Sequence, residues 1–215
     1  GNGNGGIRAA ANNLHRLLKH MSKTKQRMRI PRGIYLAPMV RGSELAFRTL
    51  ARLRGDAALC YSPMLRDRDV LSVASDSDPY RFAAAREGEL RIDAAGRTDP
   101  AEEAAYLMLR DTNRADCANL VVQLCGSDPG TLGRATAAAL DAYSRNVGTF
   151  PAGIDLNLGC PQECASRENF GAFLDPGAAI SCVASMRKAV DDASGANCES
   201  GKIPTLSAKI RLLES

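Results

Sequence analysis

Residues 153–161 read Gly153-Ile154-Asp155-Leu156-Asn157-Leu158-Gly159-Cys160-Pro161. Ile154, Leu156 and Leu158 alternate with Asp155, Asn157 and Gly159, the period-two pattern of a strand over 153–157 with one apolar and one polar face. The apolar set packs under helices, whereas the polar set faces an interior and needs partners, which a polar ligand at the strand end supplies. Gly159 lets backbone or ligand approach closely and Pro161 fixes the exit angle of the loop, so the turn presents the Cys160 thiol. An arbitrary cysteine is most often a small buried hydrophobe. At a strand end among polar groups, a thiol that is mostly protonated at neutral pH reads instead as a proton donor.

Outward from this strand, strands and helices alternate. Short apolar runs at 34–37, 57–61, 120–124 and 205–210 read as further strands. Helices are expected over 44–54 with Ser43 as N-cap, over 129–143 behind Asp128-Pro129, and over 176–193. A further helix runs from Asp99-Pro100 to Arg110, and Leu132, Thr136, Leu140 and Tyr143 share one face of the helix after Asp128. Strand-then-helix repetition builds a parallel sheet with crossover helices. Five strands with four crossovers match an α/β fold of the TIM-type (β/α)8 class cut after its fifth strand, a complete barrel taking about 250 residues. Residues 66–98 are polar and weakly periodic, which reads as an enlarged loop or insertion reaching to about 116.

The chain has 215 residues, 45% of them hydrophobic, enough for a real core. Its apolar runs are strand-sized, short of the roughly 18 residues of a membrane-spanning helix, so no membrane partner is expected. The net charge of +4 hides an asymmetry: residues 1–32 carry eight of the 28 Lys and Arg and no acid, leaving 20 basic against 24 acidic residues in the body. Such an arm suits either a mobile segment drawn to RNA or a merely solvated tail. Within it, Leu14, Leu17, Leu18 and Met21 space as a short amphipathic helix that could contact RNA, dock or target. The arm is Arg-rich and acid-poor like a transit peptide but holds only Ser22 as serine, so organellar targeting stays open beside a cytoplasmic or nuclear location. GNGNGG at 1–6 matches a dinucleotide fingerprint in letters only, with no strand before it.

Seven cysteines, an odd and scattered number, argue against a disulfide framework and for a reducing compartment. Cys160 and Cys164 lack a second pair at zinc spacing, and His15 and His20 sit far off in the arm, so no metal and no Ser-His-Asp arrangement is expected. Of the remaining strand ends, Ala37-Pro38-Met39, Gln123, and Lys209 with Arg211 stand out. Lys209 is either a solvated surface lysine or an ammonium at a barrel mouth that calls for an anion such as a reduced flavin. Gln123 either caps a loop or hydrogen-bonds the same ring edge.

In order along the chain stand A-P-M-V at 37–40, S-E-L-A at 43–46, C-Y-S-P-M-L at 60–65, V-Q-L at 122–124, D-L-N-L-G-C-P-Q at 155–162, Ala165, Arg167, G-A-F-L at 171–174 and K-I-R at 209–211. This set resembles the tRNA-dihydrouridine synthases over roughly 33–65 and 118–211, and within them the eukaryotic branch acting on D-loop uridines 16 and 17. The resemblance implies an FMN-binding barrel over 33–215 that takes hydride from NADPH and passes it from flavin N5 to C6 of a tRNA uridine. It implies Cys160 as the group that protonates C5, and Pro38, Met39, Val40, Gln123 and Lys209 as cofactor contacts. Asn157, Arg167 and Arg211 fall on the substrate side, with tRNA as partner. Arg41-Gly42 departs from that branch, which often has an acid and a polar residue there, and the segment 84–116 is longer than usual. The family's phosphate-binding loops and tRNA-gripping helical domain correspond to sequence after Ser215. Two other readings stay open: a related FMN barrel acting on a free pyrimidine, and an inactive truncated RNA-binding fragment. Oligomeric state is left open.

Overall fold

A computed structural model of the chain describes residues 31–75, 108, 114–196 and 203–211. The expected arm helix, most of the expected helix over 100–110 and Cys198 lie outside the described residues. Strands β1 (Ile34–Leu36), β2 (Ala57–Tyr61), β4 (Leu120–Cys125), β5 (Gly153–Leu158) and β6 (Thr205–Ile210) form one parallel sheet in the order β1-β2-β4-β5-β6. The five strands and their order are those of half a (β/α)8 barrel, with every described C-terminal strand end on one rim.

One strand was not anticipated. Leu65–Arg66 forms β3, which pairs with β4 through Leu65 opposite Leu124, and helix α2 (Asp67–Ser75) follows at once. The polar segment starting at 66 is therefore not loop from its outset: Val70 and Val73, one turn apart, are buried in the main core. Its far end is also ordered, as the single turn α3 (Arg114–Cys117) leading into β4.

The other helices are α1 (Leu45–Gly55), α4 (Pro129–Val147), α5 (Glu163–Glu168) and α6 (Pro176–Ala196). Helix α4 starts as its sequence dictates: Asp128 Oδ1 accepts from the Thr131 amide at 2.7 Å, Pro129 fills the first turn, and Gly148 ends the helix with φ of 72°. Helix α1 starts differently from expectation. Its N-cap is Glu44, which makes no side-chain cap bond, and Ser43 does not cap. The Ser43 hydroxyl instead accepts from the Met39 amide at 2.9 Å and donates to the Met39 carbonyl at 3.0 Å, closing the β1–α1 turn on itself.

The sheet's outer face carries Leu120, Val122, Leu124, Ile154, Leu156 and Leu206, packed under α2, α4 and α6. Leu132, Thr136, Leu140 and Tyr143 of α4 are all buried there, as their spacing requires. At the edge of this core Arg48 of α1, fully buried, meets the equally buried Asp116 of α3 through Nη2 at 2.6 Å and Nε at 3.2 Å, with Arg52 on the same carboxylate. Arg48 Nη1 also donates to the Ser43 carbonyl at 2.7 Å. This ion cluster joins the first crossover helix to the single turn that leads into β4. No helix among the described residues is long and apolar enough to cross a membrane.

Candidate active site

Side chains of the other face point into the concave side of the sheet. Strand register sets Gln123 opposite Asp155 and Asp155 opposite Ser207, one row across β4, β5 and β6, with Asn157 opposite Lys209 in the row toward the rim. All are polar, which a sheet covered on both faces by helices would not tolerate without mutual partners. Partners are present. Gln123 Nε2 donates to Asp155 Oδ2 at 2.7 Å, Ser207 Oγ to Asp155 Oδ1 at 2.6 Å, and Asn157 Nδ2 to Gln123 Oε1 at 2.9 Å. Gln123 is 0%, Asp155 1% and Asn157 4% exposed. Burial pushes the Asp155 carboxyl above the usual carboxylate range, while bonds from Ser207 and Gln123 and the Lys209 charge pull it back. Burial, with the Asp155 charge adding to it, pushes the Tyr61 phenol up as well.

The row continues into the loop after β5. Asn157 Oδ1 accepts the amides of Gly159 at 3.0 Å and Cys160 at 2.9 Å, folding the rim turn over its own strand. From the other side the Cys160 carbonyl accepts the Ala172 amide at 3.0 Å. Gly171 makes that approach possible: its φ is +63°, and a Cβ there would lie 2.7 Å from the Cys160 carbonyl oxygen and 3.0 Å from Cys160 Cβ. At Gly159 a Cβ would sit 3.0 Å from the Arg211 amide nitrogen and 3.2 Å from Lys209 Nζ, so the Lys209 ammonium lies beside the turn that carries Cys160. The Cys160 backbone is thus held on both sides while its half-buried side chain packs against the small cluster of Cys125, Ala165 and Phe170.

Three of the other described thiols sit deep in the core. Burial pushes Cys117 up to about 12 and Cys182 up to about 11, and Cys125 well above its ordinary value. Among the described residues only Cys160 and Cys164 are partly exposed. Among the same residues no group of three His, Cys, Asp or Glu side chains is placed to hold a metal ion.

The sequence-derived residues are distributed as follows. Gln123, Asn157, Cys160 and Lys209 form one cluster at the ends of β4, β5 and β6. Pro38, Met39 and Val40 follow β1 on the same rim, Met39 and Val40 being exposed apolar groups. Arg167, in the last turn of α5, and Arg211, just after β6, are exposed to solvent. Asp155, Ser207, Ser62, Met64 and Gly171 were not singled out. Ser62 Oγ accepts the Gln123 amide at 2.9 Å and Met64 Sδ accepts from Asn157 Nδ2 at 3.1 Å. The alternation around Asp155 carried the signal for that residue; nothing local marks Ser62 or Ser207.

A cavity of about 320 Å³ opens beside α5 at the ends of β3 and β4, lined by Arg66, Asp67, Arg68, Asp128 and Glu168 among others. Its arginines are paired, Arg68 with Glu168 at 2.8 Å and Arg66 with Asp69 at 2.6 Å, so both guanidinium groups are already engaged by carboxylates.

A rim cysteine gripped by a strand-end asparagine, next to a lysine one strand away, is the arrangement the D-L-N-L-G-C-P-Q and K-I-R blocks encode. Residues 35–201 match the model of the family described as dihydrouridine synthase (Dus). The chain belongs to the dihydrouridine synthase family. Over 139 residues, 65% of the chain, it is 34% identical to a fission yeast (Schizosaccharomyces pombe) protein named tRNA-dihydrouridine(16/17) synthase [NAD(P)(+)], covering 26% of that protein. A Mus musculus relative named as 16/17 synthase-like is 35% identical over 139 residues, 65% of this chain and 22% of its own. A Homo sapiens relative named tRNA-dihydrouridine(20a/20b) synthase [NAD(P)+]-like is 36% identical over 138 residues, 64% of this chain and 31% of its own. The matched region therefore spans under a third of the length of these Dus relatives.

Proposed function

We propose that this chain is the cysteine-bearing part of a flavoenzyme that reduces uridine in tRNA to 5,6-dihydrouridine with NADPH. The observation that carries the reading is the double grip on Cys160, by Asn157 and by the Gly171-Ala172 turn, at the sheet rim beside Lys209. FMN fits the donor set. Lys209 offers a cation to an anionic ring edge, Gln123 carries two amide hydrogens of which Asp155 takes one, and Pro38, Met39 and Val40 give an apolar floor on the same rim.

FMN, when bound, supplies the hydride to C6 of the uracil ring. Cys160 Sγ then gives its proton to C5 and is left as the thiolate. Lys209 stabilises negative charge at the rim, and Asn157 keeps the Cys160 loop in place. Arg167 and Arg211, both exposed near that loop's two flanks, hold the phosphates around the base, and the basic arm adds attraction to tRNA. The 16/17 branch is favoured by the D-L-N-L-G-C-P-Q and G-A-F-L blocks and by relatives of that name.

The test uses the product of the intact reading frame that contains these residues. It should be yellow as purified and form dihydrouridine in unmodified tRNA with NADPH, and Cys160→Ala should lower kcat at least about 100-fold. Undiminished activity in Cys160→Ala, or turnover of free pyrimidines with none of tRNA, would overturn the reading.

A further inference from the structure

A carboxylate only accepts hydrogen bonds, whereas a primary amide both donates and accepts and can turn over without changing shape. On the inner face each amide is held in one sense. Asp155 Oδ2 requires a donor, so Gln123 presents Nε2 to it at 2.7 Å and must present Oε1 to the other side. Asn157 therefore presents Nδ2 at 2.9 Å, which leaves Oδ1 for the amides of Gly159 and Cys160. With Gln123 reversed, its amino group would face the amino group of Asn157. The chain has one self-consistent polarity, with a pure acceptor at the Asp155 end and pure donors at the Cys160 end.

We propose that Asp155 is a positioning residue whose carboxylate, acting through Gln123 and Asn157, fixes the Cys160 loop in its reactive position. Packing gives no reason for a carboxylate here. A charge buried to 1% exposure is unfavourable, and apolar residues on the other face of β5 show what this strand accepts at no desolvation cost. Ser207 Oγ, at 2.6 Å on the second oxygen, holds the carboxylate so that Oδ2 faces Gln123. The inference rests on the reading of Cys160 as proton donor, and its test separates the two.

Asp155→Asn keeps the shape but offers Gln123 either a donor or an acceptor, so the polarity is no longer imposed. Hydrogen exchange of the Gly159 and Cys160 amides should quicken about 10-fold or more, because they lose a fixed acceptor. In turnover, kcat should fall about 10-fold while KM for tRNA stays within about 2-fold, the pattern of a misplaced reacting group. Adding Gln123→Glu to Asp155→Asn restores a pure acceptor facing Asn157, and protection of the two amides should return. Wild-type exchange and kcat in Asp155→Asn would overturn the inference, and so would faster exchange spread evenly over β4 and β5 with a lowered unfolding midpoint. If the wild-type protein makes no dihydrouridine, the functional reading fails, while the exchange data still decide the relay.

Discussion

Strand β5 has two faces that differ in what they do. Ile154 and Leu156 point outward into the core under α4 and α6, while Asp155 and Asn157, their immediate neighbours, point inward into a polar row. A side-chain period of two assigns stability to one set and chemistry to the other with no change of backbone. The outer set is interchangeable in kind, needing only apolar volume of the right shape. The inner set is specific atom by atom, since its donors and acceptors are matched in one sense along the row. Substitutions on the outer side should therefore cost folding free energy, and those on the inner side should cost function.

The largest expected effect lies on the outer side. Asp116→Ala leaves Arg48 buried without its carboxylate, and denaturant unfolding should show a loss of about 4 kcal/mol. Leu156→Ala, which empties a fully buried position between the sheet and its helices, should cost about 3 kcal/mol in the same measurement, with Cys160 reactivity retained in the folded fraction. Tyr143→Phe removes the bond from the phenol to the Met108 carbonyl at 2.9 Å and should cost about 1 kcal/mol. If Leu156→Ala instead changed KM and kcat at unchanged stability, the division between the faces would be broken.

Much of this division was legible beforehand, because it is written in periodicity. The alternation in 153–158, the turn residues around Cys160 and the five main strands have local signals, and the strands lie where expected. What was not legible depends on distance or on competition. Arg48 and Asp116 are 68 residues apart, and nothing near either residue marks it as buried. The apolar residues of α2, Val70, Leu71, Val73 and Ala74, span little more than one turn behind Asp67-Arg68-Asp69, too short a run to announce a helix until α4 is there to receive it. Ser43 looked like an N-cap because caps and tight turns use the same hydroxyl, and here the turn at Met39 won. The resemblance implies a substrate-side role for Asn157, and the sequence carries no sign of its hydrogen-bond partners. Its amide turns onto the Gly159 and Cys160 backbone, a choice that the Asp155–Gln123 pair makes and that no single strand reveals.

The smallest stability effect should be at Asp155, although the functional effect there is large. Burial raises its carboxyl in the folded state, so the protonated form is favoured by folding. A raised folded value means that the group's contribution to stability is complete below the unfolded value near 3.8 and is lost as pH rises through the folded one. At pH above the folded value the wild type bears the cost of a buried charge, which Asp155→Asn removes while keeping a hydrogen-bonding amide in place. Unfolding at pH 7 should show the variant equal to wild type or up to about 1 kcal/mol more stable, with that advantage vanishing toward pH 3. A variant destabilised at pH 7 as much as Leu156→Ala would mean that the inner face holds the fold together as the outer one does. Equal or higher stability with a lowered kcat would mean that the fold tolerates a charge in its interior for what that charge does to the Cys160 loop.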